Sequence, residues 1–173
     1  PIDGEDGDDN DETDPPVVES PITESWADYV NSEGYDGVIS GALGNDNSLS
    51  DGIDGPKDLL ALNSKPSGTY KLNQDIDLSG KIWSPVGSFN SGATLDGQGY
   101  SIKGLTINST ITGPNSNGWG EHVGLFAVCN GTVQNLYFKG VNITHPSAVY
   151  GGALCGTGNP TIIDCGIKGG QIA

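Results

Sequence analysis

Asp75 and Asp77 stand two apart around Ile76 in a stretch of alternating apolar and polar residues. In a strand that spacing puts both carboxylates on one face and turns Ile76 to the other. Two carboxylates facing one groove, about 5–9.5 Å apart, are what glycoside hydrolysis needs. The same pair also suits a cation, or two solvated side chains beside a turn. The remaining acids of this half, Asp96, Glu121 and Asp164, stand alone, and Asp96-Gly97-Gln98-Gly99 reads as a turn. His122 and His145 lie in unrelated contexts with no zinc-ligand spacing between them. Gly41-Ala42-Leu43-Gly44-Asn45-Asp46 fits a calcium-binding nonapeptide only in part and occurs once, whereas that motif binds between stacked copies. An EF-hand starting at Asp6 fails, with Asp11 at the glycine position and Val17 at the last ligand position. No catalytic residue, metal or cofactor is therefore expected. The aromatics Trp83, Tyr100, Trp119, Tyr137 and Tyr150 could instead line a glycan-binding face or plug the core. Of these, Trp119, Tyr137 and Tyr150 are the candidate ligand-binding residues, and Trp119 lies between two glycines in a loop-like stretch.

A repeat must position these groups. Val123-Gly124-Leu125-Phe126 is answered by Gly151-Gly152-Ala153-Leu154 at a shift of 28 residues. Residues 133–143 are answered by 162–172 at a shift of 29. Ile102 to Ile107 aligns with Val133 to Phe138 at a shift of 31. On that alignment 109–122 carries an excess of 3 residues and 90–99 an excess of 6. Short β-rich units of this period predict a solenoid, each unit hiding its apolar face against its neighbours. Leu136 then stacks between Leu105 and Cys165. Glycines 80, 87, 92, 97, 99 and 104 mark corners, and Asn108, Asn130 and Asn142 suit left-handed bends. Each of these asparagines also begins an Asn-x-Ser/Thr triplet, read here as turn chemistry.

Charge divides the chain. Residues 1–56 hold 16 of the 22 acids and no Lys or Arg, whereas 57–173 carry a net +1. Residues 1–24 predict a disordered acidic linker, because so polar a segment cannot offset its ordering entropy. Residues 25–55 read as an irregular lead-in of loops with one or two short strands. Residues 56–173 form the β-rich body, with one helix at 56–63 opened by Pro56 and covering the first strands. The body reads as cut off at its C-terminus, since residues 171–173 fall inside a repeat. The seven lysines stand singly and arginine is absent, so no nucleic-acid partner is expected. No apolar run is long enough to span a membrane. A chain starting at Pro1 with an acidic leader suits a secreted protein after signal removal, or a lipoprotein with its lipid anchor upstream of residue 1. The odd count of cysteines, Cys129, Cys155 and Cys165, argues against a complete disulfide framework. Cys155 and Cys165 could pair only within disulfide reach, and all three otherwise serve as small apolar fillers.

Several stretches together resemble GLUG-repeat bacterial surface proteins. They are Asp58 to Leu62, Gly68 to Leu78, Trp83 to Ser88, Leu95 to Leu105, the Gly-Leu-Phe element at Gly124-Leu125-Phe126 and Gly151 to Gly156. Ala127 and Ala153 depart from the family pattern, where Gly and Leu are usual. The resemblance implies an all-β, right-handed parallel β-helix and an extracellular or cell-surface module of a bacterium. Its role would be structural or adhesin-like, with surface glycans or host extracellular proteins as partners and no active site. The alternative is a carbohydrate-active β-helix enzyme, a polysaccharide lyase or glycoside hydrolase. Lyases of that shape usually draw on a strong base, which a chain without arginine supplies poorly.

Overall fold

Short alternating runs separated by glycines favour short strands with tight corners over long helices. The computed structural model describes residues 22–32, 49–63, 65, 67–108, 121–145 and 148–173. Most of the acidic linker, the partial calcium repeat and Trp119 lie outside the described residues. Two helices come first, α1 (Trp26–Asn31) and α2 (Pro56–Leu60). The strands β1 (Gly68–Lys71), β2 (Ile76–Asp77), β3 (Val86–Phe89), β4 (Ala93–Asp96), β5 (Ser101–Lys103) and β6 (Thr106–Asn108) follow. Next come β7 (Glu121–Val123), β8 (Phe126–Cys129), β9 (Thr132–Gln134) and β10 (Tyr137–Thr144). The last are β11 (Ala148–Gly151), β12 (Cys155–Thr157), β13 (Thr161–Ile163) and β14 (Gly166–Ile172).

The fold is mostly β and its sheets are parallel. One sheet runs β1-β4-β9-β13 and a second β14-β10-β5-β2, with β6 beside the far half of β10. A third runs β12-β8-β3, and β11 pairs with β7. Parallel neighbours cannot be joined by a hairpin, so each pair comes from distant sequence segments. Like residues consequently share columns. Ile76, Ile102, Phe138 and Ile167 form one, and Leu95, Val133 and Ile162 another. Ile76, Ile102, Phe138, Leu95 and Val133 are buried. Corners also align. Gly104, Gly140 and Gly169 follow the paired lysines and have φ of 65°, 65° and 70°, the left-handed region that glycine adopts without strain.

The 29-residue shift is the observed register, since Val133 pairs with Ile162 and Ile143 with Ile172. The 28-residue shift holds at Val123 and Gly151 and becomes 29 at Phe126 and Cys155. The 31-residue shift is overturned. Ile102 faces Phe138, a shift of 36, and Val133 faces Leu95 instead. Successive strands carry similar apolar alternation, so self-alignment slipped by one strand. The excess lengths computed on that alignment fall with it. Leu105 therefore aligns with Val141, while Leu136 aligns with Cys165. The three do not form one stack, although Leu136 and Leu105 are both fully buried.

The lead-in is less irregular than expected, because α1 is a helix. Ser25 caps it, its Oγ accepting the Asp28 N–H at 3.0 Å, and Asp28 sits in the first turn. The helix expected at 56–63 ends at Leu60, and 61–63 form a turn. Both helices belong to a cover over the first strands. Asn63 Oδ1 accepts the Ser88 N–H at 3.1 Å along the edge of β3. Ile53 bridges Leu72, and Ser25 bridges Ile82. Backbone groups that an open edge would leave unpaired are thereby satisfied. The opposite edge is different, since Ile162, Ile167 and Ile172 are each more than half exposed. Asn108, Asn130 and Asn142 do not adopt left-handed bends. Asn135 and Asp164 do, each at φ 50°. Asn142 lies within β10 and accepts a hydrogen bond from Gln171.

Candidate functional site

Ile76 is buried, so Asp75 and Asp77 do flank an inward residue. Asp75 Oδ2 pairs with Lys103 Nζ at 2.8 Å, and its Oδ1 accepts the Ser101 N–H at 2.8 Å. The Lys103 bond, then the Ser101 N–H, hold the Asp75 carboxyl below the usual aspartate range. Asp77 Oδ1 accepts the Ser79 N–H at 2.9 Å, a local turn, and the Ser79 hydroxyl and N–H hold its carboxyl low as well. Burial pushes Asp96 upward. Hydrogen bonds from the Gln98 N–H, Gln134 and Asn135 outweigh it and leave the carboxyl low. All three carboxylates are thus stabilised as anions and held by the fold. A general acid needs the reverse, a carboxyl whose proton is retained near neutral pH. Among the described residues no three of His, Cys, Asp and Glu gather to hold a metal.

Of the candidate aromatics, Tyr137 and Tyr150 lie on different sheets and both are exposed. Tyr150 packs edge-on against the buried His122, with ring centroids 5.2 Å apart. Trp83 is buried and belongs to the core. Tyr137 stands beside a groove of about 340 Å³ lined also by Gly99, Ser101, Lys139, Gly166 and Lys168. Gly166 is its neighbour on β14, and a Cβ there would come within 3.2 Å of the Tyr137 ring. The Tyr137 ring therefore lies close against Gly166, a position that a side chain there would crowd.

The groove contains what single-residue reading missed. Lys103 pairs with Lys139, and Lys139 with Lys168, so three of the seven lysines form one column. The reading of singly scattered lysines is therefore overturned. Parallel register brings together residues 36 and 29 positions apart. The signal was present in the 29-residue repeat, which already sets Lys139 against Lys168.

A thiol pair was also missed. Cys129 is buried and Cys155 half-buried, and neighbouring strands β8 and β12 carry them. All three cysteines are free. Cys155 hydrogen-bonds the Cys129 thiol, the larger effect, and faces the Cys129 N–H; burial opposes both, and the Cys155 thiol is drawn down to about 7. The same thiol contact, and then burial, push Cys129 strongly up. Cys165 instead donates to the Ile163 carbonyl at 3.3 Å. Because the thiolate is the nucleophile, iodoacetamide is expected to label Cys155 ahead of Cys129, with a rate that climbs as pH rises through about 7. Peptide mass spectrometry across pH 5–9 reads this, and equal labelling of the two would refute it.

Compared with known proteins, the chain matches no family model, no curated protein and no solved structure. Among the described residues no helix is long and apolar enough to cross a membrane.

Proposed function

We propose that the parallel columns wind into a right-handed β-helix, the fold implied by the resemblance to GLUG-repeat bacterial surface proteins. The chain then serves as a non-enzymatic extracellular or cell-surface module of a bacterium, structural or adhesin-like, with a glycan-binding face around Tyr137. An acidic linker joins it to its anchor. One observation carries the reading: Asp75, Asp77 and Asp96 each spend their oxygens on hydrogen bonds or ion pairs within the fold. None is left poised with a proton to give. The part-exposed ring of Tyr137, lying against Gly166, supplies a face for a sugar.

Incubation with a panel of neutral and acidic polysaccharides tests this. The expected result is binding without new reducing ends or unsaturated products. Sustained turnover that disappears in Asp75→Ala or Asp77→Ala, with the melting curve unchanged, would reject the non-enzymatic reading in favour of a carbohydrate-active enzyme.

A further inference from the structure

The lysine column poses an electrostatic problem. Adjacent parallel strands lie about 4.8 Å apart, so stacked ammonium groups repel across the sheet. Lys103 is relieved by Asp75 at 2.8 Å. Among the described residues no carboxylate forms an ion pair with Lys139 or Lys168. Both line the same groove as Tyr137. Tyr137 and Lys139 are two apart in β10 and share its outer face, while Phe138 between them is buried. Gly166 and Lys168 repeat that spacing on β14. The Asp75 carboxylate, already paired with Lys103, reaches Lys139 only as a weaker Coulombic neighbour, so the strip offers two cations without an ion-pair partner at strand spacing beside a part-exposed aromatic ring.

We propose that Tyr137, Lys139 and Lys168 bind an acidic polysaccharide, a uronate polymer whose carboxylates pair with the two ammonium groups while a sugar ring lies against Tyr137. This rests on the glycan-binding reading above and names its ligand class. Such a polymer presents carboxylates in regular succession, as the column presents cations. An acidic peptide would satisfy the lysines but has no ring to lay on the tyrosine.

Polygalacturonate, its fully methyl-esterified neutral form and poly-L-glutamate are the probes, with affinities from calorimetry at two salt concentrations. Polygalacturonate is expected to bind best and to weaken with salt. Lys139→Ala and Lys168→Ala are each expected to lose roughly tenfold, the scale of one charge-assisted contact. Tyr137→Ala should weaken polygalacturonate but not poly-L-glutamate. Lys57→Ala, which removes the same charge from α2, should change nothing. Esterified polymer binding as tightly as the free acid, insensitive to both lysines, overturns the acidic class and leaves the glycan reading standing. Poly-L-glutamate binding equally well, with Tyr137→Ala silent, overturns the glycan reading as well. Binding of none of the three polymers overturns the inference. If a wider neutral panel is also refused, the glycan reading falls with it.

Discussion

Leu136→Asp abolishes cooperative unfolding: the expected circular-dichroism trace on heating is a featureless slope. Leu136 is fully buried, with Gly97 packed against its backbone so closely that a Cβ on Gly97 would sit 2.6 Å from the Leu136 Cα. Truncating a buried leucine to alanine already costs about 2–5 kcal/mol. Aspartate adds the burial of a carboxyl with no cation beside it, several kcal/mol more, or forces it to fold protonated. Domains are stable by only about 5–15 kcal/mol in total, so the combined loss consumes most of it. The next residue supplies the contrast. Tyr137 is 40% exposed, and Tyr137→Asp is expected to shift stability by less than about 1 kcal/mol. A Leu136→Asp protein that melts like the parent would show that the side chain does not face the core.

Trp83→Ala is the second large effect. Trp83 is fully buried, its backbone N–H donates to the Thr106 carbonyl at 2.7 Å, and its Nε1 donates to the Leu125 carbonyl at 3.0 Å. The indole thereby ties residue 83 to Leu125 across the core, while the backbone bond to Thr106 does not depend on the side chain. Removing it leaves a large cavity, and the expected loss is about 3–5 kcal/mol in urea denaturation. The Leu125 carbonyl keeps its bond from the Val86 N–H, so little of the loss comes from an orphaned acceptor. Trp83→Phe separates the two contributions. It retains most of the ring volume and forfeits the Nε1 bond, for an expected cost of about 1–1.5 kcal/mol plus the smaller packing deficit. Equal destabilisation by alanine and phenylalanine would mean that the hydrogen bond, not the packing, dominates at this position.

Much of this was legible in the residues. Alternation at Ile76, Leu95 and Ile102, together with the 29-residue echo of 133–143 in 162–172, was enough to predict parallel stacking, because like residues in successive copies bury against one another. Pro56 and Asp58 announced α2. Ser25 and Asp28 also carried a helix-start signal for α1, and the surrounding loop-like composition drowned it. The alignment of Ile102 with Val133 failed for a physical reason. Short strands with the same period-two pattern are interchangeable in one dimension, and only backbone pairing fixes which strand of one copy meets which of the next.

Local chemistry determined many of the inward residues, the corners at Gly80, Gly99 and Gly104 (Gly87, also expected at a corner, lies inside β3) and the separation of an acidic leader from a nearly neutral body. Those follow from transfer free energies, allowed φ angles and charge, which each residue carries with it. The 29-residue repeat already set Lys139 against Lys168, but tertiary structure alone decided that Asp75 meets Lys103, that Cys155 meets Cys129, and that Lys103 joins the lysine line beside Tyr137. Lateral hydrogen bonding between parallel strands sets neighbours about 4.8 Å apart whatever their separation along the chain. Charge and reactivity depend on that distance, and no reading of residues one at a time contains it.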